Sequence, residues 1–242
     1  MATKQNFHII ENCLTCSVRE ERMFCNLPPR ALQMLQVLKA TSVYPKGAML
    51  CLEGQQPRGV FILCSGRAKL STTSAEGKSI ILRIAEPGEV LGLTAAVSNT
   101  PYEATVETLE PTQANFISQA DFVRFLREHV EIGMKVAHQL THNCQCAYNE
   151  IRSLGLSNSV PEKLAKLILR WAENPLPIAS KRAGEIPIRV TLTQEEIAQL
   201  AGTSRETVSR TLSHFKRKGW LRMKGATWWI INKQEMEKLV TT

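Results

Sequence analysis

Short apolar runs alternate with turn residues between residues 44 and 117 of the chain. The runs are rich in β-branched and aromatic residues, and the prolines between them fit turns better than helix interiors. Glycines punctuate the runs every 11 to 12 residues, at Gly54, Gly66, Gly77 and Gly88. This spacing predicts an antiparallel β-sandwich or jelly roll. A short amphipathic helix is predicted ahead of it, over residues 29–39.

From Asp121 the hydrophobic period becomes three and four, which predicts helix. One stripe at this period is typical of a coiled coil, and its members are Ile132, Val136, Leu140, Asn143, Ala147, Ile151 and Leu154. We interpret it as a seam between two copies of the chain, and the alternative is a helix packed on its own domain. A hinge is predicted over residues 153–161, another amphipathic helix over residues 162–175 and a loop over residues 175–187.

Two helices separated by a short turn are predicted from Thr193. Thr193 and Glu196 have the spacing of a capping box, and Gly202 ends the first helix. Thr203 is predicted to cap the second helix, with Glu206 as its capping partner. Two strand-like runs then flank residues 224–226, which predicts a β-hairpin wing. This order is a winged helix-turn-helix, whose second helix enters the major groove of DNA.

The second helix, "RETVSRTLSHF", has one apolar and one polar face at about 100° per residue. Its polar face carries Arg205, Glu206, Ser209 and Arg210. Arginine bonds guanine in two places and glutamate accepts from cytosine, so this face suits base reading. The alternative is an ordinary solvated face, with Glu206 serving only the helix end. For Arg210, which lies mid-helix, that alternative is weaker.

The net charge of +8 is concentrated near the carboxyl end, where residues 201–242 hold nine Lys/Arg against three Asp/Glu. Phosphate neutralisation supplies much of DNA affinity, so double-stranded DNA is the expected partner. No Gly-rich phosphate loop, nucleophile elbow or HExxH motif is present, and we predict no enzymatic activity. A further alternative is a ligand-binding or protein-interaction module whose winged domain binds a protein. The concentrated positive charge and the paired arginines count against that reading.

No apolar run approaches the ~20 residues of a membrane span, and the first residues are too polar for a secretory signal. Seven cysteines, an odd number, stand in a chain long enough to fold without disulfides. This number of cysteines indicates that the protein works in a reducing compartment, where thiols stay unpaired. We therefore expect a cytoplasmic protein with no membrane partner.

The order of jelly roll, long helix, hinge and winged helix-turn-helix resembles the Crp/Fnr family of transcription regulators over residues 27–240. The most specific motif is "RETVSR", Arg205 to Arg210. The resemblance implies a homodimer that works with RNA polymerase and responds to an effector or redox signal that the sequence does not identify. It also implies half-sites of the TGTGA or TTGA type. The implied base readers are Arg205, Glu206, Ser209 and Arg210, and the implied phosphate contacts are Lys216 and Arg217.

The fold class expected from these patterns is α+β, with four parts along the chain. They are a cysteine-bearing segment (1–26), a β-jelly-roll sensor domain (27–120), a dimerisation helix with a hinge (121–157) and the winged helix-turn-helix domain (158–242).

The resemblance also raises the question of a cyclic nucleotide in the jelly roll. Gly92 matches the family's phosphate-binding segment, but Leu93 replaces its ribose-binding glutamate. Tyr102 and Glu103 stand where the family has Arg-Ser or Arg-Ala. A cyclic phosphate needs a cation or dense N–H donors, and a carboxylate would repel it. Cyclic AMP is therefore not the expected effector.

Cys13, Cys16 and Cys25 form a C-x2-C-x8-C pattern near the amino terminus. The Fnr branch holds an iron–sulfur cluster with an amino-terminal cysteine trio and one sensor-domain cysteine, which here would be Cys51 or Cys64. The second gap of this trio is longer than in the Fnr branch, which weighs against a cluster. A Cys3His zinc site with His8 and a thiol switch are the alternatives, and the trio having no role also stays open.

Overall fold

The structure is a computed structural model that describes residues 9–156, 159–173, 175–176 and 184–241. The chain divides into two compact units, with the boundary between Ala147 and Tyr148. In the parts that the structure describes, no helix has both the length and the apolar character needed to cross a bilayer.

The first unit contains two four-stranded antiparallel sheets, as the spacing of turns and apolar runs predicts. Its strands are β1 (Ala40–Tyr44), β2 (Met49–Cys51), β3 (Gly59–Ser65), β4 (Ala68–Thr73), β5 (Ser79–Ala85), β6 (Val90–Leu91), β7 (Thr105–Thr108) and β8 (Thr112–Ser118). One sheet has the order β1-β8-β3-β6 and the other β2-β7-β4-β5. The prediction of a jelly roll is confirmed, although β1 begins before the predicted β-region because its residues lack a clear alternation of apolar and polar positions.

The described α-helices beside these sheets are α1 (Pro29–Leu38), α2 (Leu93–Ser98), α3 (Gln119–Glu128) and α4 (Val130–Leu156), and α4 continues past the boundary of the unit. One buried cluster joins α1, α3 and the start of α4 to the first sheet, around Phe24, Phe122 and Phe125. A second cluster around Phe61 and Leu63 lies in the β-domain. The jelly roll therefore has a helical layer against it as well as its own interior.

The long helix departs from the prediction in two ways. His129, which lies outside both helical spans, separates α3 from α4. Ile132 and Val136, two predicted seam residues, are buried in the core of their own unit, and Leu140 packs partly against it. The first half of the predicted stripe therefore faces inward, because these side chains complete the cluster around Phe125. For this half the alternative interpretation was correct and the seam assignment was wrong.

Most of the predicted hinge is helical where the structure describes it. Helix α4 extends to Leu156, and α5 (Val160–Trp171) begins after Ser159. The Ser159 hydroxyl accepts a hydrogen bond from the Glu162 backbone N–H at 3.3 Å, which caps α5. Residues 157–158 of the predicted hinge lie outside the described residues.

The second unit follows the predicted winged helix-turn-helix pattern. After α5 its elements are β9 (Ile186–Arg189), α6 (Gln194–Ala201), α7 (Arg205–Arg217), β10 (Leu221–Lys224), β11 (Thr227–Ile230) and α8 (Lys233–Thr241). The predicted apolar face of α7, formed by Val208, Leu212 and Phe215, is buried in the core of this unit. Strand β9 pairs with β11 and was not predicted. It begins inside the segment expected to be a loop, of which residues 177–183 lie outside the described residues.

Candidate nucleic-acid interface and cysteine cavity

Helix α6 and the turn after it have the predicted capping chemistry. The Glu196 backbone N–H donates to the Thr193 hydroxyl at 3.2 Å, and the Glu196 carboxylate accepts from the Thr193 backbone N–H at 2.8 Å. Gly202 ends the helix in the left-handed conformation with φ of 60°. A residue without a side chain tolerates this conformation at little cost, so the turn can be tight and place α7 at a defined position after α6.

The cap of α7 differs from the prediction by one residue. Ser204, not Thr203, caps the helix, and its hydroxyl accepts from the Thr207 backbone N–H at 3.3 Å. Glu206 therefore falls in the first turn without closing a capping box. Hydrogen bonds from its own backbone N–H and from the Ser204 hydroxyl lower the pKa of the exposed Glu206 carboxyl. Its charge is thus available at the amino end of the helix, where a base edge can meet it.

The residues expected to read bases are accessible in the structure. Arg205, Glu206 and Arg210 are exposed, and Ser209 is half-buried. Among the residues that the structure describes, Arg210 forms no ion pair. An exposed guanidinium without a carboxylate partner can form two parallel hydrogen bonds to guanine.

Further cations lie at the carboxyl end of α7. Lys216 and Arg217, the expected phosphate contacts, are exposed. Arg222 in the wing is different, because it lies 4.0 Å over the Trp229 ring and bonds the Glu185 carboxylate at 2.6 Å. Its charge holds β9 and the hairpin together, a role that sequence reasoning missed because Glu185 and Arg222 are far apart in the chain.

The predicted cysteine trio lies around one cavity of the first unit. Cys13, Cys16 and Cys25 line it together with Cys64 of β3, and its wall is otherwise mainly apolar, with Asn115, Arg19 and Arg22 among the lining residues. The sequence left Cys51 and Cys64 as equal candidates for the fourth thiol. The structure brings Cys64 to the trio and buries Cys51 in the β-domain cluster.

Hydrogen bonds fix the amino-terminal segment against the β-domain. The Gln113 side-chain amide bonds the backbone of Ile10 in both directions, at 2.8 and 2.7 Å. The Cys13 backbone N–H donates to Gln36 at 2.9 Å, and the Lys39 ammonium donates to the Glu11 carbonyl at 2.7 Å. These contacts hold Cys13 close to a strand more than 100 residues away in the sequence.

Asn115 connects two of the cysteines. Its Nδ2 lies 3.1 Å from Cys64 Sγ and 3.8 Å from Cys13 Sγ. Its Oδ1 accepts from the Thr41 hydroxyl at 2.8 Å, which fixes the orientation of the amide. The amide N–H groups therefore point toward sulfur, where they can stabilise negative charge.

Burial raises the pKa of three cavity thiols in the metal-free protein. It raises the pKa of Cys25 and of Cys64 to about 12, and it raises the pKa of Cys13 despite the opposing effect of Lys39. In the described residues, no three His, Cys, Asp or Glu side chains approach closely enough for a single metal ion. The zinc alternative also required His8, which lies outside the described residues.

In the segment that resembles the family's phosphate-binding segment, Tyr102 packs against Gly92. The Tyr102 hydroxyl donates to the Gly59 carbonyl at 2.7 Å and accepts from the Arg58 backbone N–H at 3.1 Å. A Cβ atom on Gly92 would lie 2.7 Å from the Tyr102 ring. Leu93 is buried in the core of the unit. None of these side chains supplies a cation for a phosphate.

Two family models match the two units. Residues 41–129 match the cyclic nucleotide-binding domain, and residues 162–239 match the Crp-like helix-turn-helix domain. Together with the exposed polar face of α7, these matches define a DNA-binding transcription regulator. The chain belongs to the Crp/Fnr family.

Curated relatives cover most of the chain. A CRP-like cAMP-activated global transcriptional regulator of Mycobacterium tuberculosis is 26% identical over 203 residues, which are 84% of this chain and 89% of the relative. The cyclic AMP receptor protein of Thermus thermophilus is 26% identical over 204 residues, which are 83% and 88% of the two chains.

Solved structures show the same fold. FixK2 of Bradyrhizobium japonicum is 20% identical with a TM-score of 0.71, over 83% of this chain and 96% of that one. A CooA mutant of Carboxydothermus hydrogenoformans is 24% identical with a TM-score of 0.71, over 86% and 90%. A global regulator of Xanthomonas campestris that shares the fold, with a TM-score of 0.73, is described as responsive to c-di-GMP. Two curated relatives are named for cyclic AMP and one solved structure for c-di-GMP, so membership of the family does not identify the effector of this chain.

Proposed function

We propose that this regulator acts as a homodimer that reads a palindromic duplex with α7, and that the four-cysteine cavity receives its signal. The observation that carries the DNA part is the exposed face of α7. Arg205, Glu206, Ser209 and Arg210 would contact base edges, while Lys216 and Arg217 would contact phosphates. RNA polymerase would be the partner at the promoter.

The seam of the homodimer is assigned to the outer face of α4. Exposed residues recur there in steps of four and three, at Val130, Met134, Ala137, Thr141, Cys144, Tyr148 and Ile151. The four large apolar members of this set are between 63% and 78% exposed. A continuous heptad of this kind is typical of a two-stranded coiled coil. This face takes the place of the buried first half of the predicted stripe and keeps Ile151 from its second half.

The ligand that we propose for the cavity is an iron–sulfur cluster. Clusters are held by four cysteine thiolates, and Cys13, Cys16, Cys25 and Cys64 provide that number around one cavity. A bound cluster would supply chemistry that is sensitive to oxidants. Cys13 and Cys64 would release their protons on binding, and Asn115 would orient N–H groups toward their sulfurs. Arg19 and Arg22 would offset negative charge at the wall.

Selection of bound duplexes from a random-sequence library tests the DNA part of the proposal. The anaerobically purified protein should enrich inverted repeats with TGTGA-like or TTGA-like half-sites. Affinity for the enriched duplex should fall steeply with salt, because phosphate contacts release counterions. An enriched pool without inverted symmetry would contradict the dimeric reading mode.

A further inference from the structure

Gln139 of α4 is polar but fully buried in the first unit. Its Nε2 donates to the Val90 carbonyl at 2.7 Å, and its Oε1 accepts from the Val90 backbone N–H at 3.0 Å. Val90 belongs to β6, which pairs with β3 at the edge of the described sheet. The side chain of Gln139 thus takes the place of a neighbouring strand. A buried amide that satisfies both backbone groups fixes α4 to this edge.

The residues just before Val90 lie against the wall of the cysteine cavity. Gly88 has a φ of 99°, and a Cβ atom there would lie 2.9 Å from Arg22 Cβ. The Gly88 carbonyl accepts from the Phe24 backbone N–H at 3.4 Å. Arg22 lines the cavity, and its guanidinium donates to the Cys64 carbonyl at 3.4 Å. Gly88 and Val90 therefore stand between the cavity wall and α4.

Further contacts limit how this segment can absorb a displacement. Glu89 is buried, and its carboxylate accepts from the Glu86 backbone N–H at 2.8 Å and pairs with the Arg83 guanidinium. Leu63 of β3 is next to Cys64. Its carbonyl accepts from the Gly88 N–H at 2.8 Å, and its N–H donates to the Glu89 carbonyl at 2.9 Å. These contacts connect Arg22 to Val90 through consecutive, hydrogen-bonded backbone, which gives a displacement at the cavity wall a physical route toward α4.

We propose that Gln139 is the positioning residue through which a change at the cysteine cavity reaches α4, by way of Arg22 and residues 88–90. The biological meaning of this link rests on the proposed sensing role of the cavity. The link itself can be tested without a cluster, because Arg22→Ala perturbs the cavity wall directly.

Hydrogen–deuterium exchange of the full-length, metal-free protein provides the test. Arg22→Ala should accelerate exchange at residues 88–90 and at the α4 amides around residue 139, by about tenfold if a buried contact is lost. In a Gln139→Met background, Arg22→Ala should still affect residues 88–90 but should no longer affect α4. Gln145→Met, the same change at an exposed position of α4, should leave the response of α4 intact.

An equal response of α4 in the wild-type and Gln139→Met backgrounds would overturn the proposal, and so would no response of α4 in either. If Gln139→Met does not fold, Gln139→Asn replaces it, because the shorter amide adds no charge to the buried site and is too short to keep both hydrogen bonds to Val90. Reconstitution with iron and sulfide is run beside these variants. Absence of iron uptake would contradict the proposed cluster, while the exchange data on Arg22→Ala would still decide the role of Gln139.

Discussion

At the scale of single residues, Arg210 and Lys216 are two exposed cations of α7 with different expected roles. Arg210→Ala should cost about 1–3 kcal/mol on a specific palindrome and little on random duplex, because a bidentate contact to a base is lost. Lys216→Ala should weaken binding to both duplexes by similar amounts, since a phosphate contact carries no sequence information. Fluorescence anisotropy on the two duplexes measures both effects. Equal losses on both duplexes for Arg210→Ala would rule out base reading by this residue.

Cys64 and Cys51 form a second matched pair of residues. Both are cysteines of strands that follow each other in the chain but lie in different sheets, and of the two Cys64 lines the cavity. After anaerobic reconstitution with iron and sulfide, Cys64→Ser should lose the visible absorbance and bound iron, because one of four thiolate ligands is missing. Cys51→Ser should retain both. A wild-type protein that binds no iron, or a Cys64→Ser variant that binds as much as wild type, would remove Cys64 from the proposed ligand set.

At the scale of elements, α4 has an inward face that packs on its own unit and an outward face with a heptad of exposed residues. Tyr148→Asp places a charge in the proposed seam, where burial without a partner is costly, and should yield monomers. Asn149→Asp adds the same charge one position away, on an exposed site beside the seam, and should leave the dimer intact. Sedimentation velocity distinguishes the two states. A dimeric Tyr148→Asp variant would place the interface elsewhere.

Leu140 shows why the inward face is unsuited to this experiment. It packs partly against the core around Phe125, so Leu140→Asp would destabilise the first unit whether or not a dimer forms. The periodicity of the sequence marks apolar spacing on α4 but does not say whether a face meets its own unit or a second copy.

At the scale of the whole molecule, the effector is the open question, and two curated relatives have names that include cyclic AMP. Calorimetry with cyclic AMP should show no binding at micromolar concentration, because Tyr102 fills the space beside Gly92 and Leu93 offers no polar group. Adenosine monophosphate is the matched control ligand. A clear heat with cyclic AMP alone, accompanied by higher DNA affinity, would contradict this reading of the jelly roll.

The global stability of the metal-free, reduced protein should also depend on pH. In the unfolded chain, the thiols ionise near the ordinary pKa of 9.0, whereas burial keeps Cys25 and Cys64 protonated to about pH 12. Above pH 9.0 the unfolded state then binds fewer protons, so the free energy of unfolding falls as pH rises, by up to ~1.4 kcal/mol per pH unit and thiol. Urea unfolding at a series of pH values measures this slope. The Cys25→Ser/Cys64→Ser variant should show a smaller slope, and an unchanged slope would contradict the assignment to these thiols.

The sequence by itself determined most of the helices and strands and the polar face of α7. The Thr193–Glu196 capping box, Gly202 at the helix end and the apolar face of α7 act through contacts within a few residues, so their pattern is visible in the chain. The turn spacing of the β-domain is local in the same sense. For that reason the jelly roll, the winged helix-turn-helix and the exposed position of Arg210 could all be predicted.

Only the tertiary structure decided which surfaces meet. It brought Cys64 rather than Cys51 to the amino-terminal trio, turned Ile132 and Val136 inward, and paired Gln139 with Val90. These outcomes depend on which strand faces which helix, and they join residues that are dozens of positions apart. The free energy of such contacts comes from burial and hydrogen bonding between distant residues, which a short stretch of sequence does not reveal. A periodic stripe records that a face is apolar, and only packing determines what covers it.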